Sequence, residues 1–425
     1  ILCMTDDQGW GDTGYNGHPV LRTPELDRMA REGIRFDRFY SGAPVCSPTR
    51  GSCLTGRHAY RYGVTFANEG HLRAEEVNLA DVLRRQGYAT GHFGKWHLGT
   101  LTTNTKDSNR GGPDHLADFR PRWQCGFDAC FSTEARTPTY WKPGAYEEFG
   151  TFYWTGLDQK APAEEISGDD SRLVMDQALP FIRRAAEAQT PIFAVIWFHA
   201  PHLPVVSAPP YTDGYEGEHK EYYGCLTAMD QQMGRLRALL QELDIEDNTM
   251  LWFCSDNGPE GNDAAPGRTG GLRGRKRSLY EGGVRVPGLL VWPDKVREPR
   301  VVTMPCSTCD YFPTILAALG LKTLASRSYD GENLLPLIEE QKQKRLRPIA
   351  FESQGQIALI DNRYKLHRAA GSQDYELYDL IADRGETINL ASQHPDMVDR
   401  MKRTLKAWRD SCRESLAGRD YQSSK

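Results

Sequence analysis

Apolar and polar positions along this chain follow two periods in alternation. Residues 1–5 (ILCMT) form a short apolar run that predicts a buried strand, and residues 24–32 (PELDRMARE) predict a helix with Thr23 as cap and Pro24 at its first position. Residues 78–86 predict another helix, ended by Gly87. Residues 171–188 carry apolar side chains at helical spacing and lead through Pro191 into the wholly apolar strand 192–198. A long helix at 226–243 precedes strands at 249–255 and 286–292. This alternation predicts an α/β fold: a large, mostly parallel but mixed central sheet, sandwiched by helices.

The pattern changes after about residue 347. Short strands at 349–352, 357–361, 364–368 and 376–379, then an amphipathic helix near 396–415, predict a small antiparallel sheet with one helix. The expected organisation is a catalytic domain over residues 1–347 and a C-terminal α+β subdomain over 348–425.

Composition narrows the function classes. Lys and Arg number 52 against 57 Asp and Glu, a net charge of −5, so global electrostatics do not point to nucleic acid. No apolar run approaches the ~20 residues of a membrane-spanning helix, so a soluble chain is expected. The chain opens at Ile1 with no Met and no charged leader, which says nothing about secretion. Ten cysteines are too sparse for a disulfide-built scaffold; Cys125 with Cys130, and Cys306 with Cys309, are candidate pairs, equally readable as free thiols. No second Cys pair stands at zinc-ligand spacing.

Three strings carry chemistry. Asp6-Asp7 ends the first predicted strand and Asp256-Asn257 ends the strand 249–255, and ligands of open α/β sheets gather at such carboxyl ends. Three carboxylates and one amide oxygen are hard donors that suit Ca²⁺ or Mg²⁺, with the larger, more flexible Ca²⁺ preferred. Alone, each pair is also a common turn dipeptide. The third string is Cys46-Ser-Pro48-Thr49-Arg50-Gly-Ser-Cys-Leu54-Thr55-Gly56-Arg57. It resembles the signature of the type I sulfatases of the alkaline-phosphatase superfamily, Cys-x-Pro-Ser/Thr-Arg followed by Leu-Thr-Gly-Arg. Further strings fall in the family's order: Gly94-Lys95-Trp96-His97-Leu98-Gly99, His202-Leu203-Pro204, Lys276 ahead of Tyr280-Glu281-Gly282-Gly283, and Glu376-Leu377-Tyr378-Asp379-Leu380.

The resemblance implies a sulfuric ester hydrolase whose Cys46 is oxidised to formylglycine by a separate maturation enzyme that reads Cys46, Pro48 and Arg50. It implies Ca²⁺ held by Asp6, Asp7, Asp256, Asn257 and the modified residue 46, with Arg50 keeping the nucleophile ionised. Lys95 and Lys276 would clamp sulfate oxygens. His202 would protonate the leaving alcohol, with His199 as the competing histidine, and His97 would collapse the sulfated hemiacetal on residue 46. A sulfated carbohydrate and a periplasmic or secreted location follow by family analogy. The alternatives are a phosphatase, phosphodiesterase or phosphonate hydrolase on the same fold, and a non-catalytic polyanion binder with unmodified Cys46.

Two softer features remain. Residues 267–277 (GRTGGLRGRKR) pack Arg268, Arg273, Arg275, Lys276 and Arg277 together, readable as an anionic funnel or as a solvated basic loop. Residues 140–154 hold seven aromatics, readable as sugar-stacking faces or as core.

Overall fold

The computed structural model describes residues 1–108, 110–340 and 343–421. Its centre is five adjacent parallel strands, in the spatial order Leu251–Ser255, Leu2–Thr5, Ile192–Trp197, Ala89–Lys95 and Ala129–Thr133. Antiparallel pairings begin on both flanks, with Gly288–Val291 beside Leu251–Ser255 and Trp154–Gly156 beside Ala129–Thr133, completing a ten-stranded mixed sheet. The first strand is buried at every position, as its unbroken apolar run requires of a strand covered on both faces.

The helix Pro24–Glu32 starts where expected, but Thr23 makes no capping bond. Asp230, from the helix Lys220–Glu242, caps it by accepting the amides of Glu25 at 3.0 Å and Leu26 at 2.8 Å. The other long helix is Asp170–Glu187, capped by the Asp169 side chain. The strand expected over 286–292 is divided. Pro287, which has no amide hydrogen, separates Arg285–Val286, paired with Phe39–Tyr40, from Gly288–Val291 in the main sheet.

The C-terminal sheet runs Ile349–Ser353, Gln356–Asp361, Tyr364–Arg368 and Glu376–Asp379, antiparallel throughout, followed by the helix Pro395–Leu416. Alternation decides its two faces. Ile357 and Leu359 turn toward Met401 and Leu405 of the helix, while Ala358 and Ile360 join Tyr40, Leu279 and Val284 of the larger part. No disulfide joins the ten cysteines, so neither Cys125 with Cys130 nor Cys306 with Cys309 forms a bridge.

Candidate active site

The carboxyl ends of the parallel strands converge. Leu2–Thr5 delivers Asp6 and Asp7, Leu251–Ser255 delivers Asp256 and Asn257, Ala89–Lys95 ends in Lys95 with His97 two residues on, and Ile192–Trp197 leads to His199 and His202. Gly94 is needed there: its φ is +97°, and a Cβ would stand 1.9 Å from the Trp197 carbonyl oxygen.

Cys46 arrives from elsewhere, as the first residue of the wholly buried helix Cys46–Thr55. Pro48 is tolerated in the first turn, where its missing amide hydrogen would be unpaired anyway. Thr49 clips the helix to the preceding loop, accepting the Ala43 amide at 3.1 Å and donating to the Ala43 carbonyl at 3.0 Å. Gly56 closes the helix in the left-handed region, with φ +69° and its amide on Ser52 O.

Three carboxylates and three cations are interleaved in this floor, all buried or nearly so. Lys95 Nζ bonds Asp6 Oδ2; Lys276 Nζ lies 2.6 Å from Asp7 Oδ1; Arg50 Nη2 lies 2.6 Å from Asp256 Oδ2 and 3.4 Å from Asp6 Oδ2. Cys46 Sγ is 3.3 Å from Asp6 Oδ1, and one donor atom each of Asp6, Asp7, Cys46 and His202 falls within 4.8 Å of the others. Burial alone would raise Asp6, but Lys95, His202, Arg50 and Lys276 together hold its carboxyl well below the usual range. Burial and repulsion from Asp6 push Asp256 up to about 7. Burial, with Asp256 and Asp6 adding, pushes the Cys46 thiol far above the ordinary cysteine range.

A divalent ion fits this donor set. Asn257 Nδ2 donates to Asp7 Oδ1 at 2.7 Å and to Gly258 O at 2.9 Å, which turns Asn257 Oδ1 inward, buried and without a hydrogen-bond partner. A bare amide oxygen among carboxylates is an acceptor-only cradle for a hard cation.

Residues 1–321 match the Sulfatase family, and residues 274–411 match the family described as N-sulphoglucosamine sulphohydrolase, C-terminal. This chain belongs to the sulfatase family. Human N-acetylgalactosamine-6-sulfatase is 33% identical over 366 residues, covering 80% of this chain and 65% of the relative. Mouse steryl-sulfatase is 31% identical over 415 residues, covering 81% of this chain and 65% of the relative. The chain thus spans 65% of the length of each. The structure of Ps i-CgsB in complex with k-i-k-neocarrahexaose superposes with a TM-score of 0.83 at 25% identity, covering 100% of this chain and 93% of that one.

Seen on the fold, much of the sulfatase signature is scaffold. Leu54 is core, and Thr55 bonds back to Gly51 O at 2.9 Å. Arg57, wholly buried, answers Glu76 at 3.3 Å and Asp420 at 2.7 Å. The two histidines after Ile192–Trp197 separate cleanly. His199 is fully buried and saturated, with Nδ1 2.7 Å from Asp170 Oδ2 and Nε2 2.7 Å from Thr133 Oγ1. His202 keeps 17% of its side chain exposed and places Nε2 3.8 Å from Asp7 Oδ2.

Above the floor lies a cavity of about 620 Å³, lined among others by Cys46, Lys95, His97, His202 and Lys276. Thus all ten residues singled out in the sequence stand in or directly beneath one site. His97 Nε2 is 2.7 Å from Asn68 Oδ1; burial, then Lys95 and Arg50, hold its imidazole well below the usual histidine range. His97 and Arg277 line the cavity and Asp7 lies in the floor beneath it, with φ values of +57°, +73° and +68°, strained for non-glycine residues; their amides donate to Glu134 O, Pro44 O and the Asp256 carboxylate.

Sequence reasoning missed Asn68, Phe66, Lys106 and Arg136, all lining the cavity. Arg136 alone had a usable signal, its place just beyond the strand Ala129–Thr133. The basic stretch 267–277 is largely occupied: Arg273 lies over Tyr280 and bonds Tyr378, and Arg275 holds the carbonyls of Glu260 and Gly267. Of the seven aromatics over 140–154, five are buried, and Phe149 lines the cavity.

Proposed function

We propose that this protein hydrolyses a sulfate monoester of a carbohydrate, with residue 46 as nucleophile after oxidation of its thiol to formylglycine, and with Ca²⁺ held by Asp6, Asp7, Asp256, Asn257 and residue 46. The observation that carries the reading is the environment of Cys46. It opens a buried helix, lies 3.3 Å from Asp6, and faces a cavity whose lining contains no acidic side chain among the described residues. A thiol pushed that far up is protonated and a poor nucleophile, which supports its replacement by modification. Hydrated formylglycine supplies an attacking hydroxyl and a second one to release the product, and Ca²⁺ supplies Lewis acidity at a sulfate oxygen.

The chain's own residues do the rest. The six floor charges cancel, so a bound dication leaves the site doubly positive, matched to an anionic ester. Lys95 and Lys276 hold sulfuryl oxygens where negative charge builds. His202 gives a proton to the leaving oxygen, with Lys276 beside it. His97, kept neutral and oriented by Asn68, accepts the proton from the hydroxyl of residue 46. Cys46, Pro48 and Arg50 are buried, so a maturation enzyme reading them acts before the chain folds. Passage to the periplasm or outside the cell accords with that order.

The test joins peptide mass analysis at residue 46 to sulfate release from sulfated hexosamines. Formylglycine together with catalytic sulfate release is expected; a Cys46→Ser variant should free at most one equivalent of the desulfated sugar and keep the sulfate as an ester on the serine, because it has no second hydroxyl to expel it. Unmodified Cys46 in fully active protein, sustained turnover by Cys46→Ser, or preference for the matching phosphate ester overturns the reading.

A further inference from the structure

The cavity carries more positive charge than one sulfate uses. Its lining includes Lys95, Lys106, Arg136, Lys276 and Arg277, with no Asp or Glu among the described residues, in a chain whose net charge is −5. Lys95 and Lys276 belong to the floor, and Arg277 is engaged by Glu260 at 2.6 and 2.9 Å. Lys106 and Arg136 differ. Both are exposed, and neither side chain has a hydrogen-bond or ion-pair partner among the described residues.

Both cations stand on anchored backbone. Lys106 precedes Asp107, which is buried, bonds Trp154 Nε1, and exchanges backbone hydrogen bonds with Arg110 at 3.0 and 3.1 Å. Arg136 follows Glu134 and Ala135, which are buried; Glu134 O accepts the His97 amide at 3.0 Å and Ala135 O accepts Thr133 Oγ1 at 3.0 Å. Phe66 and Phe149 add apolar surface to the same cavity, and 620 Å³ lies within the ~300–1,000 Å³ of small-molecule sites. The second groove beside Asp7, about 370 Å³, has the opposite character: Leu203, Val205 and Tyr222 with Glu218, Glu221 and Glu260. An anionic substrate is repelled there and drawn to the Lys106 and Arg136 side.

We infer that Lys106 and Arg136 bind a second oxyanion of the substrate, a carboxylate or a further sulfate, so that the preferred substrate is an acidic saccharide carrying at least two negative groups. The inference rests on the sulfate-ester reading and deepens it. Arg136 offers the planar fork that matches an oxyanion in two places, and Lys106 a point charge.

The test is calorimetric binding to the Cys46→Ala protein in calcium-containing buffer. Three disaccharides serve as probes: one sulfate with a neutral neighbour, the same sulfate with a uronate neighbour, and the same sugar with two sulfates. At least one doubly charged probe should bind about tenfold tighter than the neutral-neighbour probe, and which one does so identifies the second group. Adding Lys106→Gln and Arg136→Gln together should bring the probes to within about twofold of each other. Equal affinity for all three probes, or a double variant that weakens all three by one factor, overturns the inference. Because binding needs no turnover, failure of sulfate release by the wild-type protein is read separately and counts only against the reaction.

Discussion

Two of the buried charge clusters among the described residues differ in kind, and one of the two is a candidate site. The floor cluster joins Asp6, Asp7 and Asp256 to Arg50, Lys95 and Lys276. The junction cluster, between the main sheet and the C-terminal sheet, joins Glu281 and Glu386 to Lys365 at 3.1 and 3.0 Å, with Tyr40 donating to Glu281 at 2.9 Å and Arg285 3.5 Å from it. Both are desolvated, and both perturb carboxyl pKa values: Glu281 is held low by Lys365 and Arg285 against burial, and Glu386 is pushed up to about 7 by burial and Glu281. Perturbed titration therefore does not separate them. Two other properties do. The floor opens onto a 620 Å³ cavity and leaves the Asn257 amide oxygen unanswered, whereas Glu281 and Lys365 at the junction are sealed between a turn and a strand. A buried network that is closed holds the fold, and one that opens onto a cavity with an acceptor left unanswered has room for a ligand.

Substitutions should divide along the same line. The largest effect is expected at the junction. Lys365→Met leaves Glu386 buried without its cation and Glu281 with Arg285 as its remaining ion-pair partner, and should cost about 3–5 kcal/mol in chemical denaturation, while kcat per folded molecule falls at most severalfold. Lys276→Ala should do the reverse, lowering kcat ~10²–10³-fold, about 3–4 kcal/mol in the barrier, with a much smaller loss of stability in saturating calcium. Equal stability losses in the two variants, or a kcat collapse in Lys365→Met, would erase the distinction.

Glu134, a buried carboxylate outside both clusters, tests the comparison by pH. Burial pushes Glu134, which lies 3.3 Å from Arg110 Nε, up to about 8 from an ordinary value of 4.5. Between those values the folded chain holds a proton that the unfolded chain has lost, so stability falls as pH rises through the window, by up to about 1.4 kcal/mol per pH unit. Denaturation at pH 6 and pH 8 should show that fall in the wild type, and Glu134→Gln should flatten it by about 2–3 kcal/mol. Identical slopes would mean that Glu134 is ionised in the folded protein.

The floor was legible in the sequence because its residues sit in contiguous strings directly after apolar runs, and a parallel sheet brings such ends together. Ala89–Lys95 was harder to see as a strand, since Thr90, Gly91, His92 and Gly94 interrupt its apolar character and only the packing of Phe181 and Trp197 around them accounts for their burial. The Pro24–Glu32 cap comes from Asp230, about two hundred positions away, beyond the reach of local pattern. Lys106 and Arg136 belong to no motif: nothing in the order of residues says that two loops thirty positions apart share one cavity wall.

One further contact ties the C-terminal sheet to the chain segment between the two clusters, and it carries the smallest predicted effect. Gln356, at the start of the strand Gln356–Asp361, donates from Nε2 to Arg277 O at 2.8 Å and accepts the Leu279 amide on Oε1 at 3.1 Å. It thereby ties the C-terminal sheet to the segment that bears Lys276, while Glu281, two residues beyond Leu279, anchors the same segment in the junction cluster. Gln356→Ala removes both hydrogen bonds and should cost about 1–2 kcal/mol of stability. Were the junction only a seam, kcat measured well below the melting transition would not change. Because Lys276 is expected to meet the sulfuryl group, loosening its segment should instead lower kcat severalfold with little change in KM, a loss that stabilising osmolytes would not restore.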